Sequence, residues 1–262
     1  MAKKKGGDKL GITSYVLIAI LVLVLLWLLG VFEVHRVKNI SIEYMDGAEQ
    51  AARAANLSDD DIKRFSKLNQ RKMSQAASFA DDARELISQS SGYLYLDDVY
   101  TTGAESICLR IGARKAAAAI VSNGAYVIVD TDSLVVDPVS ASTHNLTVIS
   151  NIPIANPVVN RTVKSSSADN RLEYALSVAS VIADYGLSDT YKEIIVKDNK
   201  EIWLMTPRNV IVIINLRFDV LHELDVAKAA LDKGLSGGRL LVAGDYAYYT
   251  TQGDDLFTPS GM

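Results

Sequence analysis

The feature that most constrains this chain is a run of 23 residues, Leu10 to Phe32, without a charged side chain. As a helix rising roughly 1.5 Å per residue, such a run reaches about 34 Å, enough for a hydrocarbon core of roughly 30 Å. Its centre, Val16 to Leu29, is almost wholly Leu, Ile, Val and Ala. Tyr15 and Trp27 lie near where an aromatic belt would sit. A core helix of a globular protein usually keeps a polar face, and this run has none. The run therefore predicts a transmembrane helix over 10–32. Residues 1–9 form a short tail with Lys3, Lys4, Lys5 and Lys9 against Asp8. Positive flanking charge predicts that this tail is cytoplasmic and that Glu33 to Met262 lies outside. A cleaved signal peptide begins in a similar way. Its apolar core is only roughly 7–15 residues long, and Leu29-Gly30-Val31-Phe32-Glu33 offers no A-x-A-like site. An uncleaved anchor of a single-pass cell-membrane protein is expected.

The 230 residues beyond the run can hold one large domain or two small ones. The whole-chain net charge of −4 less the tail's +3 leaves −7 for this part, which argues against nucleic acid as a partner. Cys108 is the only cysteine, so no internal disulfide can form and the exported part must rely on its core. Within Ser106 to Ile111 the thiol reads as a small hydrophobe of a strand.

Along the exported part, Val34 to Tyr44 reads as a strand closed by Asp46-Gly47. Residues 48–90 are helical in character. Ser58 before Asp59, Asp60 and Asp61 resembles an N-cap with acids in the first turn, where the helix dipole favours them. A second helix is expected over about 74–88, with Phe79, Ala83, Leu86 and Ile87 on one side. Strands follow at 93–100 and 105–111, giving a β-α-α-β-β order. Next comes a meander over 117–121, 126–130 and 134–137, with Asn123-Gly124 as its first hairpin turn. Residues 139–167 read as loop, with a short apolar piece, Leu146 to Ile149. A helix is expected over 168–185 with Gly186 at its C′ position. Strands at 192–197, 201–206 and 210–215, turning at 198–200 and 207–209, precede a helix over 221–231. Strands at 239–243 and 246–250 end the pattern. The expected fold class is α+β: a small β-α-α-β-β domain at 33–115, then a mixed domain at 116–251 with a mainly antiparallel sheet and two helices. A loose tail occupies 252–262.

Catalytic motifs are lacking. His35, His144 and His222 are far apart in sequence and stand in no H-x-x-x-H or H-E-x-x-H arrangement. Neither G-x-S-x-G nor S-x-x-K occurs, and Gly237-Gly238 precedes a strand rather than opening a helix. Asp130 and Asp132 read as turn residues, because no further ligand follows at a calcium-loop spacing. No catalytic residue, metal site or cofactor is expected. Sequons stand at Asn39, Asn56, Asn145 and Asn160, a pattern that arises readily by chance.

The layout resembles the bacterial cell-division family FtsQ, called DivIB in Gram-positive bacteria. Ile107 to Ala118 is similar to the family's strand ending in E-R-x-P-x-A. Asn123 to Asp130 resembles its next signature, in which a glycine and a tyrosine lead to apolar residues and an aspartate. Asn145 to Asn151 resembles the following L-P-x-I-x-G. Ala113 stands for the glutamate, Ala116 for the proline, Ser133 for a usual glycine and Asn151 for the last motif's glycine. The segment 46–75 is longer than the family's. The resemblance implies that the small domain is a POTRA domain followed by the family's β domain.

It further implies a non-enzymatic divisome scaffold at the division septum. Such a scaffold would bind FtsL-type and FtsB/DivIC-type single-pass proteins and help recruit or regulate septal peptidoglycan synthesis. In the family, the last strands form an edge to which a partner strand adds, and the matching residues here are Leu240, Val242, Tyr246, Tyr248 and Tyr249. Two other readings stay open on the residues alone: an anchored extracytoplasmic cell-wall enzyme, which needs clustered carboxylates, and a ligand-binding sensor, which needs a deep apolar pocket.

Overall fold

The computed structural model describes residues 9–28, 36–65, 69, 71–75, 80–197, 201–215 and 217–251. Contacts divide the chain into two units, one containing residues up to 87 with 96–112, the other Ser88–Tyr95 with 113 onward.

The first helix, α1, spans Lys9–Leu28. Among the described residues no helix is long and apolar enough to cross a membrane, which corrects the transmembrane helix expected over 10–32. Val16, Leu17, Ile18 and Leu21 of α1 are exposed.

The first unit also differs from the expected β-α-α-β-β order. Strand β1 (Asn39–Tyr44) is followed by three α-helices, α2 (Ala48–Ala54), α3 (Asp59–Phe65) and α4 (Ala80–Ser90), and a 3-10 turn at Met73–Gln75. Strands β2 (Leu94–Gly103) and β3 (Ser106–Ala113) complete it. The sheet order is β1-β3-β2, with β1 parallel to β3 from Asn39 opposite Ser106 to Tyr44 opposite Ile111. The extra helix α2 begins after Gly47, whose φ of 78° makes the turn at Asp46-Gly47. α3 starts as its sequence requires. The Ser58 hydroxyl accepts from the Asp61 amide at 3.1 Å, while the Asp61 carboxylate accepts from the Ser58 amide and hydroxyl. These bonds hold the Asp61 carboxyl below its usual range, the Ser58 hydroxyl contributing most. Phe79, expected on a helix face, lies outside the described residues.

The second unit is built on nine strands in the order β12-β11-β10-β9-β8-β7-β4-β5-β6. They are β4 (Ala116–Ser122), β5 (Ala125–Asp130), β6 (Val135–Ser140), β7 (Thr147–Ser150), β8 (Glu193–Val196), β9 (Glu201–Met205), β10 (Ile211–Asn215), β11 (Arg239–Ala243) and β12 (Tyr246–Thr250). Asn123 and Gly124 both have positive φ, the turn that lets β4 and β5 pair with matched twist. The sheet is more mixed than a meander pattern implies. β4/β7, β7/β8 and β10/β11 are parallel, and the other described pairs are antiparallel. Parallel neighbours need long crossovers. Helix α5 (Arg171–Asp184) makes the one between β7 and β8, and α6 (Val220–Leu231) the one between β10 and β11.

β7 is the largest departure from the expected loop at 139–167. This four-residue strand sits inside the sheet between β4 and β8, with Thr147 and Ile149 fully buried.

The main core lies on the sheet face that carries the helices. Leu172, Ala175, Leu176, Ala179 and Ile182 of α5 and Leu224, Ala227 and Leu231 of α6 cover Ile120, Ile149, Ile194, Leu204, Val212 and Leu240. α5 ends at Gly186, φ 65°, where the Leu187 amide reaches the Ile182 carbonyl at 2.8 Å, closing a Schellman motif. Tyr191 ties the layers together. It is fully buried, its hydroxyl donates to the Leu224 carbonyl at 2.9 Å, and its own carbonyl accepts from the Thr147 hydroxyl at 2.8 Å.

Candidate partner-binding edge

An open sheet has two edge strands, and unpaired backbone there is the natural place for another chain to add. Here the edges are β6 and β12. The start of β6 is closed by its own chain. The Val135 amide donates to Arg161, the Asn160 amide donates back to the Val135 carbonyl, and Leu134 bridges Thr162. Farther along, Pro138 has no amide hydrogen to offer, and the β5/β6 register is twice irregular.

β12 has no such cover among the described residues. β11 and β12 pair from Arg239 opposite Thr250 to Ala243 opposite Tyr246, joined by Gly244-Asp245. Gly244 has φ 58° and Asp245 is not left-handed, the pattern of a two-residue turn with glycine first. In such a hairpin the closing pair exchanges both backbone bonds. Tyr246, Tyr248 and Thr250 therefore face β11 with their backbone groups, and Ala247 and Tyr249 turn theirs outward. At the far end Gly238, φ 75°, runs so close to Thr250 that a Cβ would sit 2.3 Å from the Thr250 carbonyl oxygen.

Side chains alternate about this hairpin. Leu240 and Val242 are 1% and 0% exposed, in the core beneath the helices. Their part is to fix β11, and through it β12. Tyr249 packs partly on the same core, and its hydroxyl donates to the Ser236 and Gly237 carbonyls at 2.9 Å each. On the opposite face Tyr246 and Tyr248 are 81% and 61% exposed. Tyr248 also ends a row of direct cross-strand neighbours, Ile195, Trp203, Ile213, Leu241 and Tyr248, that runs from β8 to β12 on the face opposite α5 and α6. Lys197 and Arg239 stand over the Trp203 ring, 4.1 and 5.0 Å from its centre. The edge thus offers an outward backbone, two displayed tyrosines and an apolar row beside them. Such an arrangement is suited to binding an extended segment.

Three further residues belong to this region. Phe218 is 47% exposed, and its ring lies against the turn, 3.8 Å from where a Gly244 Cβ would stand. His222 Nε2 meets an Asp245 carboxylate oxygen at 2.8 Å. Glu223 is fully buried, its carboxylate accepting from the Asn215 amide at 2.9 Å and the Gly244 amide at 3.4 Å. Burial raises the Glu223 carboxyl above its usual range, against the opposing pull of those two amides and of His222. In sequence, Glu223 is one more acid in a helix. Its only signal is its place four residues after Asp219, which caps α6 through the His222 amide.

Elsewhere several polar residues are engaged in structure. Asp130 accepts from the Asp132 and Leu134 amides at 3.0 and 2.8 Å and pairs with Arg114 at 3.2 Å. His144 contacts the Ser140 hydroxyl at 3.2 Å, and His35 lies outside the described residues. Among the described residues no group of three or more His, Cys, Asp or Glu side chains is arranged to hold a metal. Cys108 is buried and unpaired. Asn56, Asn145 and Asn160 all have positive φ, a conformation that asparagine tolerates better than most residues. The Asn160 amide group donates to Ser88. An open groove of about 780 Å³ beside α5 is lined by hydroxyls, among them Thr131, Ser165 and Ser180, and by the apolar side chains of Val163, Leu172 and Leu176. No family model matches the chain, and no curated protein matches it either.

Proposed function

We propose that this chain is a non-enzymatic scaffold of the FtsQ/DivIB kind, which holds division partners by taking a partner strand at β12. The observation that carries this reading is the asymmetry of the sheet edges. The start of β6 is capped by residues 160–162, while β12 presents outward amides and exposed Tyr246 and Tyr248. Main-chain bonds would supply affinity and the tyrosines selectivity.

Two departures from the family's motifs support the resemblance. Ser133 and Asn151 stand where the family has glycine, and their φ values are 65° and 60°. The backbone thus keeps the conformation that glycine serves. Arg114, the arginine of the first motif, pairs with Asp130, the aspartate of the second. In this reading the partners are FtsL-type and FtsB/DivIC-type proteins, acting with the septal peptidoglycan synthase. The exposed apolar side chains of α1 favour association with the cell membrane, at the septum.

A fluorescent fusion is expected to gather at mid-cell, and depletion to leave undivided filaments. Uniform fluorescence with normal division refutes the proposal.

A further inference from the structure

In the hairpin that forms the candidate edge, the outer strand β12 pairs with a strand on one side, β11, and its direction is set in part at the turn. In a two-residue turn the amide of the first central residue has no strand partner, and here it is the Gly244 amide. The Glu223 carboxylate reaches it from the first turns of α6 and with its other oxygen takes the Asn215 amide at the end of β10. One buried side chain thus ties the hairpin turn to a central strand. Outside, His222 on the same helix meets Asp245 on the same turn. Phe218 lies against Gly244. A buried charged group of this kind costs desolvation, and a hydrophobic side chain would fill the space at less cost.

We infer that Glu223 is a positioning residue for the β12 edge: it fixes the Gly244-Asp245 turn from inside, and His222 clamps the same turn from outside. The inference rests on β12 being the binding edge. A partner strand then meets an edge whose direction is already set, so less ordering is required on binding.

The test uses the full chain in mild detergent with Glu223→Gln. Glutamine keeps the size but offers only one acceptor oxygen, and its NH2 group confronts one of the two amides. Amide hydrogen exchange at Gly244 is expected to speed up at least about tenfold, the loss of one bond to a charged acceptor. The amides of Ile213 and Val242 should keep their protection, which a merely structural role would not allow. Asp245→Ala, on the surface, should speed exchange at the same turn by a smaller factor and serves if E223Q does not fold. Unchanged Gly244 exchange in E223Q, or equal loss of protection throughout β10 and β11, overturns the inference. A separate arm measures binding to an FtsB/DivIC-type ectodomain, where E223Q should dissociate faster than wild type. If Ala247→Pro abolishes binding while E223Q alters neither exchange nor dissociation, the inference fails and the edge reading stands. If no binding passes through β12, the edge reading itself has failed.

Discussion

Removing the Tyr191 hydroxyl should loosen the second unit by a small, calculable amount. The phenol is fully buried and its hydroxyl donates to the Leu224 carbonyl at 2.9 Å; burial also pushes the phenol pKa well up, so it remains the donor at all ordinary pH. In Tyr191→Phe the ring and its packing stay. Leu224 lies inside α6, so its carbonyl keeps the helical amide four residues on and is not orphaned. The cost should therefore be that of one ordinary hydrogen bond, about 1 kcal/mol within a range of about 0.5–1.5. Tyr191→Ala removes the ring as well and should cost about 3–5 kcal/mol through the cavity between β8 and α6. Urea unfolding followed by Trp203 fluorescence, in a Trp27→Phe background, reads the second unit by itself. A phenylalanine variant as damaged as the alanine one would refute the reasoning. So would one within about 0.3 kcal/mol of wild type, below any such bond.

Two other outcomes bear on the edge. Gly238→Ala meets both a φ of 75° and the Thr250 carbonyl, whereas Gly234→Ala, at φ 89°, meets open space. Urea midpoints should therefore show G238A costing on the order of 1–3 kcal/mol and clearly more than G234A; equal costs would rule out the close approach. The Glu223 carboxyl, raised above its ordinary 4.5 mainly by burial, binds its proton more tightly folded than unfolded. Its favourable contribution is complete below the unfolded value and is lost as pH rises through the folded one. His222, Asp245 and Asp219 are the titratable neighbours at this end of α6. The stability of wild type minus that of E223Q should thus fall as pH rises from about 4 upward. A difference that is flat, or that grows with pH, contradicts the assignment.

The elements that the sequence displays best are those whose signals are local. Asn123-Gly124 encodes its turn in two residues, Ser58 with Asp61 encodes a helix start, and Gly186 a helix end. The β11/β12 hairpin is visible as two apolar strands about Gly244-Asp245. β7 is not, because four residues of Thr-Val-Ile-Ser carry no period, and its strand character comes from β4 and β8 on either side. Parallel pairing is hidden for the same reason: the β10/β11 register depends on α6 returning the chain, a non-local event. α2 escapes because Ala48 to Ala54 is short and alanine-rich, with only Ala48 and Ala52 buried. At the edge, tyrosines at alternate positions are legible, but which face each takes is not. Leu240 and Val242, expected at the partner edge, lie in the core. Glu223 is illegible, since its partners are backbone amides eight residues before it and 21 after it.

The account turns on whether a partner adds to β12. Ala247 faces its amide outward, so Ala247→Pro removes a donor that a partner strand would use while sparing the bonds to β11. The decisive measurement is the Kd of the full chain for an FtsB/DivIC-type ectodomain, with wild type and A247P compared at equal folded fraction. The account predicts at least about a tenfold loss of affinity in A247P with little change in the unfolding midpoint, in keeping with a lost edge bond. Wild-type affinity in A247P would contradict it and move the interface away from this strand.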